Sequence, residues 1–241
     1  MKRIFDFGAS LLGIIALSPV FLLVILAIYV EDRHNPFYVG RRVGRGGEPF
    51  NMVKFRSMTP MADRTGVDST AASDPRITRV GRYIRALKLD EFSQLLNVLR
   101  GDMSLVGPRP QVQRDAALWT DVERGVLKVR PGITDFSSIV FADEGEILRG
   151  AEDPDLRYHQ IIRPWKGRLG LHYVAVSTLW LDIRLILATI LSAASRRMAL
   201  RWTSHLIRVT GGPPDLVAIA LRRAPLQPAP PAGSSEIVIA R

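Results

Sequence analysis

Cysteine is absent from the whole 241-residue chain. That removes disulfides, thiolate metal sites and thiol nucleophiles, and it fits a reducing compartment. Histidine is scarce: His34, His159, His172 and His205 are scattered, which argues against a histidine-built transition-metal centre. Any metal is expected to be a hard, oxygen-liganded ion such as Mg²⁺. Acidic residues are too few to balance the basic ones, and the formal charge of +10 calls for an anionic partner. Aromatics reach only 7% and no recognisable nucleic-acid motif is present, so nucleic acid ranks last among such partners. An acidic membrane surface and phosphorylated substrates remain.

Apolar residues are plentiful, at 47%, and part of that content is concentrated near the amino terminus. Gly8 to Val30 carries no charge; as a helix it would be about 35 Å long, enough to cross the hydrocarbon layer. The run is too long for a cleavable leader and no clear small-x-small site follows it. Ser18-Pro19 interrupts it midway. Proline removes one helical hydrogen bond and bends the axis, and a neighbouring serine can satisfy the freed carbonyl. Basic residues flank both ends, Lys2 and Arg3 before and Arg33, Arg41, Arg42 and Arg45 after. The positive-inside tendency places both flanks in the cytoplasm. A kinked helix that enters and leaves through one leaflet satisfies both observations; a straight span with a tolerated proline is the other reading.

Residues 36–58 read as two short strands, Phe37–Val43 and Phe50–Phe55, around a turn containing Gly44, Gly46 and Gly47. The glycines match neither a Walker nor a dinucleotide fingerprint. Lys54 and Arg56 share one face of the second strand, as solvated edge charges or as groups pointing into a site. Thr59 to Ser73 is polar, small and aperiodic, which suggests a mobile surface loop.

Asp74 to Pro110 is the chemically dense stretch. Adjacent carboxylates, Asp90 and Glu91, lie between Arg76, Arg79, Arg82, Arg85 and Lys88 on one side and Arg109, between two prolines, on the other. Phe92, Leu95, Leu96 and Leu99 have the spacing of a core-facing helix. Asp90 as an N-cap, Glu91 as a first-turn dipole partner and the arginines as a solvated face explain the same residues without chemistry. A phosphate site explains them with chemistry: cations hold the anion, and the carboxylates hold a metal or attack phosphorus.

At these residues the chain resembles the bacterial sugar transferases, the small monotopic polyprenol-phosphate phosphoglycosyl transferases. The likeness rests on Lys2-Arg3-Ile-Phe-Asp6, Ser18-Pro19, Lys54-Phe55-Arg56-Ser57-Met58, Asp74-Pro75-Arg76-Ile77-Thr78, Gly81-Arg82-Tyr83-Ile84-Arg85 and Leu89-Asp90-Glu91. It continues through Gln94–Leu99, the long Gly101–Pro110 run and Arg130-Pro131-Gly132-Ile133-Thr134, in the family's order across roughly residues 1–190. The resemblance implies that a nucleoside diphosphate sugar, usually a UDP-sugar, gives its sugar-1-phosphate to polyprenol phosphate. By the same resemblance Asp90 is the nucleophile that forms a phosphosugar-aspartate, and Glu91 binds Mg²⁺ with it or steers the lipid phosphate. A nucleophilic carboxylate must be ionised, so no raised pKa is expected at Asp90. Arg85, Arg109 and Lys54 match cations associated with phosphate, and Ser18-Pro19 matches the break of a re-entrant membrane helix. The chain departs from the family in the run Asp135–Leu148, which is expected to bear on the sugar or nucleotide; there Asp143, Glu144 and Glu146 meet sugar hydroxyls or form a solvated acidic loop.

Farther on, His172, Asp182 and Arg184 make a second span within Leu169–Leu191 improbable, leaving one or two amphipathic helices. Arg196–Arg208 suits a helix on an anionic membrane surface, or an ordinary surface helix. Asp215–Arg223 suits one more short helix, and Ala224–Arg241, rich in Pro, Ala and Ser, is expected to be disordered. The expected architecture is α+β and mainly helical. A re-entrant helix at 1–32 precedes a catalytic domain at 33–192 with a small β-hairpin, a helical extension at 193–223 and a tail at 224–241. The expected place is the cytoplasmic face of a bacterial inner membrane, with membrane lipids as partners. A non-catalytic membrane-anchored scaffold for acidic lipids and a basic nucleic-acid-binding protein are the rival functions.

Overall fold

A computed structural model describes residues 1–62 and 74–239. The chain is mainly helical. It begins with α1, Lys2–Asp32, which runs unbroken through Pro19. Pro19 cannot donate to the Ile15 carbonyl, and Ser18 Oγ donates to that oxygen instead, at 2.8 Å.

Both ends of α1 are fastened to the same globular body. At the amino-terminal end Lys2 pairs with buried Asp182 at 2.6 Å, Arg3 donates to the Leu99 carbonyl at 2.8 Å, and buried Asp6 accepts from Ser104 Oγ at 2.6 Å. At the other end Val24 and Ile28 pack with Phe55 and Ile84, and Glu31 accepts from the Arg79 amide at 2.8 Å. Ile4, Leu12, Ile15, Leu22, Leu23 and Leu26 face outward, uncovered. The helix thus lies along the body with an apolar outer stripe.

Strands β1, Phe37–Val43, and β2, Pro49–Phe55, pair antiparallel from Phe37↔Phe55 to Val43↔Pro49. Their turn uses Gly46 and Gly47 at φ 71° and 88°, the left-handed region where glycine has no steric cost. Beyond it, Met58 bridges Ile77. The loop expected at Thr59–Ser73 lies, from residue 63 onward, outside the described residues.

Helix α2, Arg79–Ala86, is capped by Thr78, whose Oγ1 accepts from the Gly81 amide at 2.9 Å. Gly81 packs so closely on Ser57 that a Cβ would overlap the Ser57 carbonyl. Lys88, at φ 53°, then reverses the chain into a 3-10 turn, Leu89–Gln94, which leads to α3, Leu95–Arg100. The apolar spacing from Phe92 suggests one continuous helix; its first turn is tighter than that. Next, β3, Ser104–Val106, lies parallel to β4, Gly132–Thr134, with the short α4, Gln113–Ala117, between them in sequence. This ladder depends on Gly132, where a Cβ would overlap the Gly107 backbone.

The remaining helices build the main core: α5, Phe136–Val140; α6, Glu144–Ile147; α7, Pro154–Ile161; α8, Arg163–Val176; α9, Leu179–Ala194; α10, Arg196–Val209; α11, Pro214–Leu221. Phe136, Ile162, Leu169, Leu185 and Ile207 are sealed inside it. The sequence read α10 as lying on a membrane or on the protein's surface. The structure shows α10 inserting Leu206 and Ile207 into the core and leaving Arg197, Arg201 and Arg208 outside, the pattern of a surface helix with one buried face. Residues 224–239 form no helix or strand, but the disorder expected of that tail is not what the structure describes. The Ala229 amide donates to the Gln160 carbonyl at 3.0 Å, Arg168 donates to the Pro230 carbonyl at 3.0 Å, and Thr120 donates to the Ala232 carbonyl at 2.5 Å.

Candidate active site

A cleft of about 690 Å³ opens between the hairpin, the α2–α3 connection and the α5–α6 connection. Lys54, Arg85, Asp90, Glu91 and Arg109 all line it. The structure therefore brings these five candidate residues into one place. Ser18 and Pro19 lie elsewhere, on the exposed side of α1. Each lining residue has a local cause. Lys54 alternates with buried Val53 and Phe55 along β2, so its side chain leaves the opposite face. Arg85 is one residue from buried Ile84, on the inner edge of α2, whereas Arg79 and Arg82 point to solvent. Asp90 and Glu91 occupy the first turn of the 3-10 segment, oriented by the turn at Lys88. Arg109 sits between prolines just after the β3–β4 crossing, on a rigid backbone.

Arg109 donates to Glu91 Oε1 at 2.7 Å. Burial would raise the Glu91 carboxyl, but Arg109, Lys54 and Lys88 together outweigh it and hold Glu91 below the usual range. Asp90 behaves differently. Burial pushes its carboxyl up, the Lys54 cation opposes this, and the Glu91 charge adds to it. This corrects the expectation of no raised pKa at Asp90: burial, which depends on the fold, produces the rise. Lys54 is pushed down to about 8 by burial, with Arg109 adding to the effect and Asp90 and Glu91 pulling the other way. Arg56 shares the strand face with Lys54, but its guanidinium is held by Asp32 Oδ1 at 2.7 Å.

The cleft contains more than the motifs announced. Tyr38 and Arg42 reach it from the cross-strand face of Lys54, and Lys88, Tyr158 and Lys166 complete its sides. The period of two places Tyr38 and Arg42 with Lys54, and that spacing was the available signal; Tyr158 and Lys166 come from distant helices and gave none. Glu144 lines the cleft paired with Lys166, Asp143 is held by two arginines, and exposed Glu146 pairs with Arg149. Among the described residues no three acidic or histidine side chains converge as a self-sufficient metal cage. Two adjacent carboxylates facing a space for phosphates fit the ordinary mode of Mg²⁺, which takes one or two carboxylates and fills its shell with water and substrate oxygens.

A family model described as bacterial sugar transferase matches residues 1–196. The chain belongs to that family. A Komagataeibacter xylinus protein named undecaprenyl-phosphate glucose phosphotransferase is 40% identical over 196 residues, 78% of this chain and 35% of that protein. The exopolysaccharide production protein ExoY of Sinorhizobium fredii is 41% identical over 148 residues, 55% of this chain and 66% of that protein. A Caulobacter vibrioides protein named UDP-glucose:undecaprenyl-phosphate glucose-1-phosphate transferase is 34% identical over 192 residues, 78% of this chain and 68% of that protein. The chain thus spans about a third of the length of the first relative. The family's matched region contains the whole list of candidate site residues and ends as α10 begins.

Proposed function

We propose that this chain transfers a sugar-1-phosphate from a nucleoside diphosphate sugar, a UDP-sugar by the analogy of its relatives, to polyprenol phosphate, so starting a surface glycan. The observation that carries the reading is Asp90, buried among cations at the base of a cleft, in a chain of the sugar transferase family. An Asp90 carboxylate oxygen attacks the phosphorus that bears the sugar. The bond from that phosphorus to the bridging oxygen breaks, and the nucleoside monophosphate leaves with the electron pair. An oxygen of polyprenol phosphate then attacks the same phosphorus and displaces Asp90, which returns as a carboxylate. Lys54, Arg85 and Arg109 are the residues for the phosphate charge, and the Arg109 guanidinium also keeps Glu91 ionised beside the nucleophile. Asp90 and Glu91 are the residues that would hold Mg²⁺, which would supply charge neutralisation for the diphosphate and the departing monophosphate.

Burial removes water from the Asp90 carboxylate, and the Lys54 cation opposes the rise in its pKa that burial causes. A lipid-binding scaffold has no use for that arrangement. The two fastened ends of α1 favour a helix held on one side of the membrane over a span, although α1 is unbroken at Pro19 and the kink expected from the sequence is not seen. Lys2 and Glu31 both meet the globular body, so both ends belong on its side of the membrane, the cytoplasmic side where nucleotide sugars are made. The outer stripe then enters the leaflet, and the cleft rim at Arg56 adjoins the end of α1 through Asp32, close to where a lipid phosphate arrives. The test is a panel of UDP-sugars with added polyprenol phosphate and Mg²⁺, scored for UMP. Release that depends on the lipid phosphate is expected; none with any donor would overturn the reading.

A further inference from the structure

The family match ends at residue 196, yet the two helices that begin there and beyond reach back to the cleft. Arg196, at the head of α10, stands 2.8 Å from Asp143 Oδ1, and Arg222, just past α11, stands 3.3 Å from Asp143 Oδ2. Arg222 also lies 5.4 Å from the centroid of the Phe141 ring, and Arg196 donates to the Val140 carbonyl at 3.3 Å. Both cations therefore converge on the connection between α5 and α6. Phe141 and Ala142 of this connection, with Glu144 and Gly145 of α6, line the cleft.

Asp143 occupies the N-cap position of α6, where a carboxylate ordinarily accepts from the helix's own first amides, yet it caps none of them. It is turned to the arginines instead. Arg222 holds φ 51°, a left-handed conformation unfavourable for a side chain of its kind, and one of its guanidinium nitrogens is buried with no hydrogen-bond partner among the described residues. Its cation faces Asp143 and the Phe141 ring. The wall so held differs from the Lys54 side of the cleft. Ala142 and Gly145 are small, and Glu144 is neutralised by Lys166. A lining of small residues, an aromatic ring and a Glu144 already paired suits a neutral polyhydroxyl ring better than it suits phosphate.

We propose that α10 and α11 form a clamp which, through Arg196 and Arg222 on Asp143, holds the Phe141–Gly145 wall against the sugar ring of the donor. These three are positioning residues for donor selection, and the proposal rests on the donor reading of the cleft given above. In the full-length chain, Arg222→Ala and Asp143→Asn each raise the KM for the nucleoside diphosphate sugar about fivefold, the scale of a partly buried ion pair. The kcat and the KM for polyprenol phosphate stay unchanged, preference between donors that differ at one hydroxyl shrinks, and Arg222→Lys keeps most of the parent behaviour. In parallel, the backbone amides of residues 141–145 exchange hydrogen faster in Arg222→Ala, while those of α3 do not. An unchanged donor KM, or kcat and both KM values worsening together, overturns the clamp. If the parent chain transfers sugar phosphate from no donor, the reading of the cleft fails instead. The exchange rates then decide the clamp alone, with faster exchange at 141–145 supporting it and unchanged exchange overturning it.

Discussion

Lys54 should give the site an alkaline limit that an ordinary lysine would not. Burial depresses its pKa from 10.5 to about 8, with the Arg109 cation adding to the effect. The cation is therefore present below pH 8 and is lost as pH rises through that value. A bound diphosphate places negative charge beside Lys54 and restores the pKa toward 10.5. Linkage between these two values makes the binding of UDP about tenfold weaker at pH 9 than at pH 7, and makes binding at pH 8 take up roughly half a proton. UDP itself contributes little over this range, because its terminal phosphate titrates near pH 6. Calorimetry of UDP binding in two buffers of different ionisation enthalpy reads both quantities. Lys54→Met should bind UDP more weakly at pH 7 and lose both the alkaline weakening and the proton uptake. A parent profile flat from pH 7 to 9, or one that survives in Lys54→Met, would refute the assignment of Lys54 to the phosphates.

Three further outcomes follow from the geometry. Arg109→Ala leaves Glu91 unpaired next to Asp90 and removes a phosphate contact, so kcat/KM should fall by about 10²-fold, with Arg109→Lys recovering only part because a lysine lacks the guanidinium fork. Steady-state kinetics measure it, and full activity in either variant contradicts the role. Gly132→Ala forces a Cβ into the Gly107 backbone and should cost about 1–3 kcal/mol, read as a drop in Tm of several degrees. Because the chain has no native cysteine, Lys2→Cys and Arg33→Cys are clean labelling probes. Both should react with an impermeant maleimide from the cytoplasmic side of membrane vesicles, whereas labelling from opposite sides would mean that α1 spans.

Much of this was legible in the chain itself. The hairpin followed from apolar and β-branched residues on both sides of a glycine turn, and the site residues followed from motifs whose spacing survives folding. Ser18 was legible as the donor that replaces the hydrogen bond lost at Pro19, because both partners are local. What escaped depends on distant partners. The β3–β4 ladder has only three residues a side and relies on two glycine backbones meeting across 25 residues of chain. Arginines at intervals of three gave no sign of which faced inward, since such spacing drifts around a helix; burial of Gly81 and Ile84 decided it for Arg85 against Arg79 and Arg82. The pairing of Glu91 with Arg109, and hence the opposite fates of two adjacent carboxylates, needed the fold. The tail, poor in periodic apolar residues, is held by Thr120, Gln160 and Arg168, none of which its composition could announce.

The most direct measurement is intact-protein mass spectrometry of the chain mixed with a UDP-sugar and Mg²⁺ in the absence of polyprenol phosphate. The account predicts a mass increase of one sugar phosphate, mapped by fragmentation to Asp90, discharged when polyprenol phosphate is added and missing in Asp90→Asn, which also loses turnover. Normal turnover by Asp90→Asn, or the adduct on another residue, would contradict it.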